Sequence, residues 1–104
     1  MGAVNWSITA QQDLENIGGY IAKDSPFYAV NFIEKVLQYT DRLETFPESG
    51  RVVPEFNRAD IRELIFHNYR IVYKIKDIHV FIVSVSHGSM DIIKKSKREN
   101  WEIG

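Results

Sequence analysis

The sequence predicts an α+β domain in which two helices pack on one face of an antiparallel sheet. Apolar residues recur at helical spacing between Thr9 and Phe46, whereas β-branched and aromatic residues crowd the region from Ile61 to Ser86. A turn-forming segment after Pro47 separates the two regions. Helices followed by a run of strands are typical of the α+β class, and 104 residues suit one domain spanning residues 1–104.

The N-terminal segment predicts a short strand and then a helix. Apolar and polar residues alternate from Ala3 to Ile8, as in a strand. Thr9 and Gln12 have the spacing of a capping box, which predicts that the helix begins at Thr9. One apolar face comprises Ala10, Leu14, Ile17 and Ile21. Gly18-Gly19 weakens this helix by about 1 kcal/mol per glycine relative to alanine, and a close helix–helix contact would explain the pair.

A second helix is predicted from Asp24-Ser25-Pro26. Ser25 suits the N-cap, and Pro26 suits the first helical position because its missing N–H has no helical partner there. The apolar stripe comprises Ala29, Ile33, Val36, Thr40 and Leu43, broadened by Val30, Phe32 and Leu37. The helix should stop before Pro47. Two amphipathic helices with a tight connection form an antiparallel hairpin.

Three strands are predicted in the second half of the chain: Ile61 to Phe66, Tyr69 to Lys76, and Val80 to Ser86. The short breaks between them indicate an antiparallel meander. Arg51 to Asp60 is expected to be irregular, and the polar tail from Asp91 to be a solvated end. The sheet face without helices should then be open to a partner or a ligand.

Composition excludes several classes of function. Thirteen basic and fourteen acidic residues give a net charge of −1, so no overall attraction to nucleic acid or membrane is expected. The absence of cysteine excludes disulfides and thiolate sites, and His67, His79 and His87 lack metal-ligand spacing. We expect no metal and no cofactor. Without a signal-peptide pattern or an apolar run of membrane-spanning length, the protein is expected to be soluble and cytoplasmic.

Five short motifs resemble, in order and spacing, the RelE/ParE superfamily of bacterial toxins, and the ParE-like (plasmid-stabilisation) branch most of all. They are Gly50-Arg51, Pro54-Glu55, Ile61-Arg62-Glu63-Leu64, Tyr69-Arg70-Ile71-Val72-Tyr73 and Val85-Ser86-His87-Gly88. Trp6, Asp13-Leu14 and Asp24-Ser25-Pro26 also match the family's layout. The resemblance covers nearly the whole chain.

The resemblance implies a toxin of a type II toxin–antitoxin module, held in a hetero-oligomer by a cognate antitoxin. ParE-like members inhibit DNA gyrase, whereas RelE-like members cleave mRNA in the ribosome. Because the fold is shared, the fold does not decide between these activities. Three hypotheses follow: a gyrase inhibitor, a ribosome-dependent endoribonuclease, and an inactive member that only binds antitoxin. Under these hypotheses the protein is either not an enzyme or a metal-independent endoribonuclease.

The endoribonuclease hypothesis assigns catalysis to Arg70, His87, Glu55 and Arg62. Cleavage needs a base for the 2′-hydroxyl, a cation for the phosphorane and an acid for the leaving oxygen, and these residues are of the right types. If the Asp77-Ile78 break is an even-length loop, Arg70 opposes Val85 and His87 lies diagonally beside Arg70 on the same face.

Two features favour the gyrase hypothesis over the endoribonuclease. The near-neutral charge is poor for a ribosome-binding protein, and Gly88 follows His87 where some nuclease members carry an aromatic that stacks a base. Ser89-Met90 also departs from the ParE-like pattern, which commonly continues with arginines, and this departure keeps the inactive member as a third hypothesis.

The residues predicted to bind a target or antitoxin are mostly cations. They are Arg51, Arg62, Arg70, Tyr73, Lys94, Lys95, Lys97 and Arg98. The cluster from Lys94 to Arg98 could follow phosphates. Each residue also has a structural interpretation, such as a turn anchor for Arg51 or packing for Tyr73.

Overall fold

A computed structural model of the protein describes residues 2–102. Its elements in chain order are β1 (Val4–Trp6), α1 (Ile8–Ala22), α2 (Pro26–Asp41), a 3₁₀ turn (Arg42–Glu44), β2 (Arg51–Val52), β3 (Ile61–Phe66), β4 (Tyr69–Lys76), β5 (His79–His87) and α3 (Ile92–Glu99). The sheet order is β1-β5-β4-β3-β2, with β1 parallel to β5 and the other pairs antiparallel. The predicted helical hairpin and the three-stranded meander are confirmed.

The two helix starts differ in how well the sequence predicted them. Ser25 caps α2 by accepting a hydrogen bond from the Tyr28 backbone, and Pro26 opens the helix as predicted. The predicted capping box at Thr9 is wrong. Ser7 is the N-cap of α1, and its Oγ accepts from the Ala10 N–H at 3.0 Å. Thr9 lies inside the first turn and bonds the Ser7 hydroxyl instead.

Helices α1 and α2 cover one face of the sheet. Ala10, Leu14 and Val36 join the apolar residues of β3, β4 and β5 in the main core. Gly18 is buried where the helices approach, since an added Cβ would lie 2.7 Å from Cδ1 of Ile33. The predicted broadening of the α2 stripe is wrong for Val30 and Leu37, which are exposed.

The opposite face is not open, contrary to the sequence expectation. The C-terminal segment forms α3, which is capped by Asp91 and buries Ile92. Ile92 and Trp101 pack with Val53 and residues of the sheet in a second apolar cluster. The expected irregular segment also contains β2, which pairs with β3. Within residues 2–102, no helix is long and apolar enough to span a membrane.

A β-bulge changes the predicted register between β4 and β5. Tyr73 pairs with Ile82 but Val72 pairs with Ser84, which leaves Val83 as an additional residue on β5. Beyond the bulge, Arg70 therefore opposes Ser86 instead of Val85. His87 opposes Tyr69. Since neighbouring strand positions point to opposite faces, Arg70 and His87 do not share a face, and that prediction is wrong.

Candidate functional site

A cleft of about 700 Å³ lies at the end of the sheet where β3 turns into β4 and β5 ends. Its walls come from four segments: β2 with the loop after it, the β3–β4 turn, the start of β4, and the loop after β5. The lining residues are Arg51, Pro54, Glu55, Ile65, His67, Asn68, Tyr69, Arg70, His87, Gly88 and Ser89. The cleft therefore brings together Arg51, Glu55, Arg70 and His87, all of which were predicted from sequence.

Arg70 is the centre of a four-residue charge cluster. Its terminal nitrogens bind both oxygens of Glu55 at 2.7 Å each, and its Nε donates to Oε1 of Glu63 at 2.5 Å. The other oxygen of Glu63 accepts from Nε of Arg51 at 2.6 Å. Two arginines and two carboxylates thus form one network whose formal charges cancel. A planar guanidinium matched to a carboxylate in this bidentate way is a strong and directional contact.

Burial differs across this network. The side chain of Glu63 is fully buried and that of Arg70 is 10% exposed, whereas that of Arg51 is 60% exposed. A buried carboxylate is stable only when it is paired, so Glu63 fixes the positions of both arginines. Arg51 is the cation of the network that solvent and a partner can reach.

The hydrogen bonds of the network shift the pKa values of Glu55 and Arg70. The hydrogen bonds from Arg70 lower the pKa of Glu55 to about 2, against the opposing effect of burial. Pairing with Glu55 raises the pKa of Arg70 above its ordinary value. Both side chains are charged throughout the physiological pH range, so neither can exchange a proton with a substrate there.

His87 lies exposed at the end of β5 and is oriented by Ser89. Nδ1 of His87 accepts a hydrogen bond from the backbone N–H of Ser89 at 3.2 Å and lies 2.8 Å from its hydroxyl. A ring nitrogen that accepts from a backbone N–H carries no proton, so the neutral ring holds its proton on Nε2. The accepting lone pair of the ring is therefore occupied within the protein.

Arg62 and Tyr73 lie outside the cleft and form hydrogen bonds with backbone groups of the loop before β2. Arg62 donates to the carbonyls of Ala59, Glu48 and Gly50. The phenol of the fully buried Tyr73 accepts from the Gly50 N–H and donates to the Pro47 carbonyl. Burial raises the pKa of Tyr73. Both residues were predicted to bind a partner, but the structure gives them positions that stabilise this loop.

The basic cluster of the C-terminal segment divides into two faces of α3. Lys94, Lys97 and Arg98 are exposed, and their helical spacing places them on one side. Lys95 points inward. Its ammonium is bound by Asp13 at 2.7 Å, Ser84 at 2.7 Å and Ser86 at 2.6 Å. Lys95 therefore cannot belong to an exposed cationic surface, because its charge is buried and paired across the edge of β5.

Sequence reasoning did not assign Glu63 or Ser89 to the site. The signal for Glu63 was present, since a carboxylate between Ile61 and Ile65 shares their strand face and needs a cationic partner there. Ser89 was noticed only as a departure from a pattern. Among residues 2–102, no group of three or more histidine or acidic side chains is arranged to hold a metal ion.

Comparisons with known proteins identify relatives of this chain. A family model described as "ParE toxin of type II toxin-antitoxin system, parDE" matches residues 4–92. Y4kP, a protein of Sinorhizobium fredii (strain NBRC 101917 / NGR234) whose name describes it as a toxin, is 31% identical over 87 residues, which is 81% of this chain and 88% of Y4kP. A structure titled "Chromosomal ParDE TA system from P. aeruginosa" matches with a TM-score of 0.70 and 18% identity, over 84% of this chain and 96% of that one.

Proposed function

The chain belongs to the ParE toxin family of type II toxin–antitoxin systems, and we propose that it inhibits DNA gyrase by binding it and is neutralised by a cognate antitoxin. In this proposal the protein acts as a non-enzymatic inhibitor in the cytoplasm. The cleft is then a binding surface. The antitoxin holds the toxin in a hetero-oligomer until the module releases it.

One observation carries the choice of inhibition over RNA cleavage: both carboxylates of the network already bind Arg70. An endoribonuclease needs a cation that is free to stabilise the phosphorane. To reach a phosphate, the terminal nitrogens of Arg70 would have to leave Glu55. Losing this partly exposed bidentate pair costs about 1 kcal/mol, which opposes catalysis.

The orientation of His87 supports the same proposal. A general base must present an unprotonated nitrogen to the 2′-hydroxyl of RNA. In His87 that nitrogen is Nδ1, which already accepts from Ser89. Glu55, the candidate general acid, has a pKa of about 2 and cannot supply a proton to a leaving oxygen at neutral pH. With His87 and Glu55 in these states, neither supports the proton transfers of RNA cleavage, and this favours inhibition by binding.

The target is proposed to contact the exposed cations. Arg51 at the cleft and Lys94, Lys97 and Arg98 on α3 are accessible to a partner. Cations that neutralise an anionic partner produce binding that weakens as salt concentration rises. Arg70, by contrast, is proposed to support this surface by fixing the position of Glu63 and, through it, of Arg51.

Induction of the chain without its antitoxin tests the proposal. We expect growth arrest with DNA breaks and filamentation, because gyrase cleaves both DNA strands transiently and a toxin bound to it would leave the cleaved strands unsealed. The His87→Ala variant should arrest growth as strongly as the natural chain. Rapid loss of translation with cleaved messages, abolished by His87→Ala, would instead establish the endoribonuclease. Unimpeded growth, with the chain present in folded form, would show an inactive member.

A further inference from the structure

The edge of the sheet beside β3 is only partly covered by β2. Arg51 pairs with Glu63 and Val52 pairs with Arg62, and the pairing ends there because the chain bends at Gly50. β3 continues for three more residues, Leu64 to Phe66, before the turn at His67. Within residues 2–102, no strand pairs with these three residues on the side away from β4.

The hydrogen-bond alternation of an antiparallel ladder shows which residue presents its backbone to this edge. Phe66 and Tyr69 flank the two-residue turn and exchange hydrogen bonds with each other. The next residue of β3, Ile65, therefore directs its N–H and C=O away from β4. Ile61 and Glu63 follow the same parity, and the Ile61 carbonyl accepts on that side from the Val53 N–H. In the described part of the chain, no strand pairs with the backbone of Ile65 on that side, so it is available to another strand.

A groove lies on each side of this edge. The cleft is on one side, and a second groove of about 520 Å³ is on the other, lined by Lys35, Gln38, Tyr39, Ile65, Phe66 and His67. Ile65 and His67 line both grooves and form the ridge between them. Ile65 is 45% exposed, so this ridge presents apolar surface between the two grooves.

We propose that the open edge of β3 at Ile65 binds an extended acidic segment of the antitoxin, which adds a short strand in line with β2. This inference rests on the proposed function, because it names the site on the toxin at which its antitoxin docks. A strand paired with Ile65 would send successive side chains alternately into the cleft and into the second groove.

The charges of the two grooves select an acidic segment. Arg51 is the most exposed cation of the cleft, and Glu55 there is bound to Arg70. Lys35 is the only charged residue among those that line the second groove. A carboxylate directed into the second groove would meet Lys35, and one directed into the cleft would meet the exposed guanidinium of Arg51, which Glu63 binds through Nε. A second copy of this chain, paired at the same edge, would instead bring like charges together, which disfavours self-association.

Amide exchange tests this proposal in the purified complex of the chain with its antitoxin. We expect the Ile65 amide to exchange at least tenfold more slowly in the purified complex than in the free chain, since it gains a hydrogen bond. In the same complex Ile65→Pro, which removes the N–H that points away from β4, should weaken binding about tenfold, and Ile65→Val should not. Lys35→Glu should weaken binding as well, whereas Lys76→Glu, at the far end of β4, should leave it unchanged.

The outcomes separate the two levels of the proposal. Formation of the complex with fast exchange at Ile65, and with natural affinity in the Ile65→Pro and Lys35→Glu variants, would overturn the docking site and leave the toxin–antitoxin pair intact. Failure of any complex to form would overturn both. Protection of Ile65 in the isolated chain that increases with concentration, together with a dimer mass, would identify a second copy as the occupant and overturn the acidic segment. The exchange measurement on the natural chain decides the matter even if Ile65→Pro does not fold.

Discussion

The guanidinium of Arg70 holds the carboxylate of Glu55 in a bidentate pair while its Nε remains bound to the buried Glu63. One arginine thus links the loop after β2 to the strands β3 and β4. Arg70, which lies in one of the motifs shared with the family, therefore supports the cleft. It also makes the stability of the protein depend on each carboxylate to a different degree.

Glu63→Gln should destabilise the protein more than Glu55→Gln. A neutral amide in place of the Glu63 carboxylate would leave Arg70 and Arg51 without the buried charge they share, at a cost of about 3 kcal/mol in the free energy of unfolding. Glu55 is one-third exposed, so Glu55→Gln should cost about 1 kcal/mol. Urea unfolding at pH 7 measures both values. Equal losses, or a larger loss for Glu55→Gln, would contradict the assigned roles.

The Arg70–Glu55 pair should also make the stability of the protein depend on pH in the acid range. Since the pKa of Glu55 falls to about 2 from 4.5 in the unfolded chain, its contribution to stability is fully present above pH 4.5. The contribution is lost as pH falls toward 2. Between about pH 5 and pH 3, the natural chain should therefore lose more stability than Glu55→Gln does. Urea midpoints at several pH values test this; parallel curves for the two proteins would show that Glu55 is not held by Arg70.

Lys95 and Lys94 are neighbours in α3 that differ in burial, so their variants measure how much the buried contacts of Lys95 stabilise the protein. Lys95→Met leaves Asp13 without its cation and two serine hydroxyls without a donor, so it should cost about 3 kcal/mol. Lys94→Met changes an exposed residue of the same helix and should stay within about 0.5 kcal/mol. Thermal unfolding followed by circular dichroism compares them. A similar small effect for both would mean that the buried contacts of Lys95 contribute little.

The adjacent glycines of α1 should respond differently to alanine. Gly19 faces open space, so Gly19→Ala should raise the free energy of unfolding by up to about 1 kcal/mol through the helix propensity of alanine. At Gly18 the new Cβ would meet Ile33, and repacking should remove that gain. Parallel urea titrations of the two variants give the comparison. An equal gain at both positions would show that the helices do not need glycine at their contact.

Sequence patterns predicted the fold best where side-chain periodicity and packing agree. The meander and α2 follow from alternation, from the Ser25 cap and from Pro26. β2 was missed because two residues are too few to show a period. The face of α3 that packs on the sheet contains Lys95 and Ser96 beside Ile92, so its polar composition concealed a buried side.

The site was predicted in its components and missed in its geometry. Arg51, Glu55, Arg70 and His87 do line one cleft. Their relation depends on a single additional residue on β5, and nothing in the local sequence of Val83 marks a bulge. The pairing of Arg70 with two carboxylates likewise requires the loop after β2 to fold back over the sheet, a tertiary contact that strand periodicity does not encode.

The most direct test of gyrase inhibition is titration of the purified chain into a gyrase supercoiling reaction, in parallel with a cell-free translation reaction. We predict that the chain inhibits supercoiling and that this inhibition weakens as the salt concentration rises. Joint replacement of Lys94, Lys97 and Arg98 with glutamine should reduce the inhibition about tenfold. We also predict intact mRNA in the translation reaction. Full supercoiling together with cleaved mRNA, at the same concentration of folded protein, would contradict the proposed function.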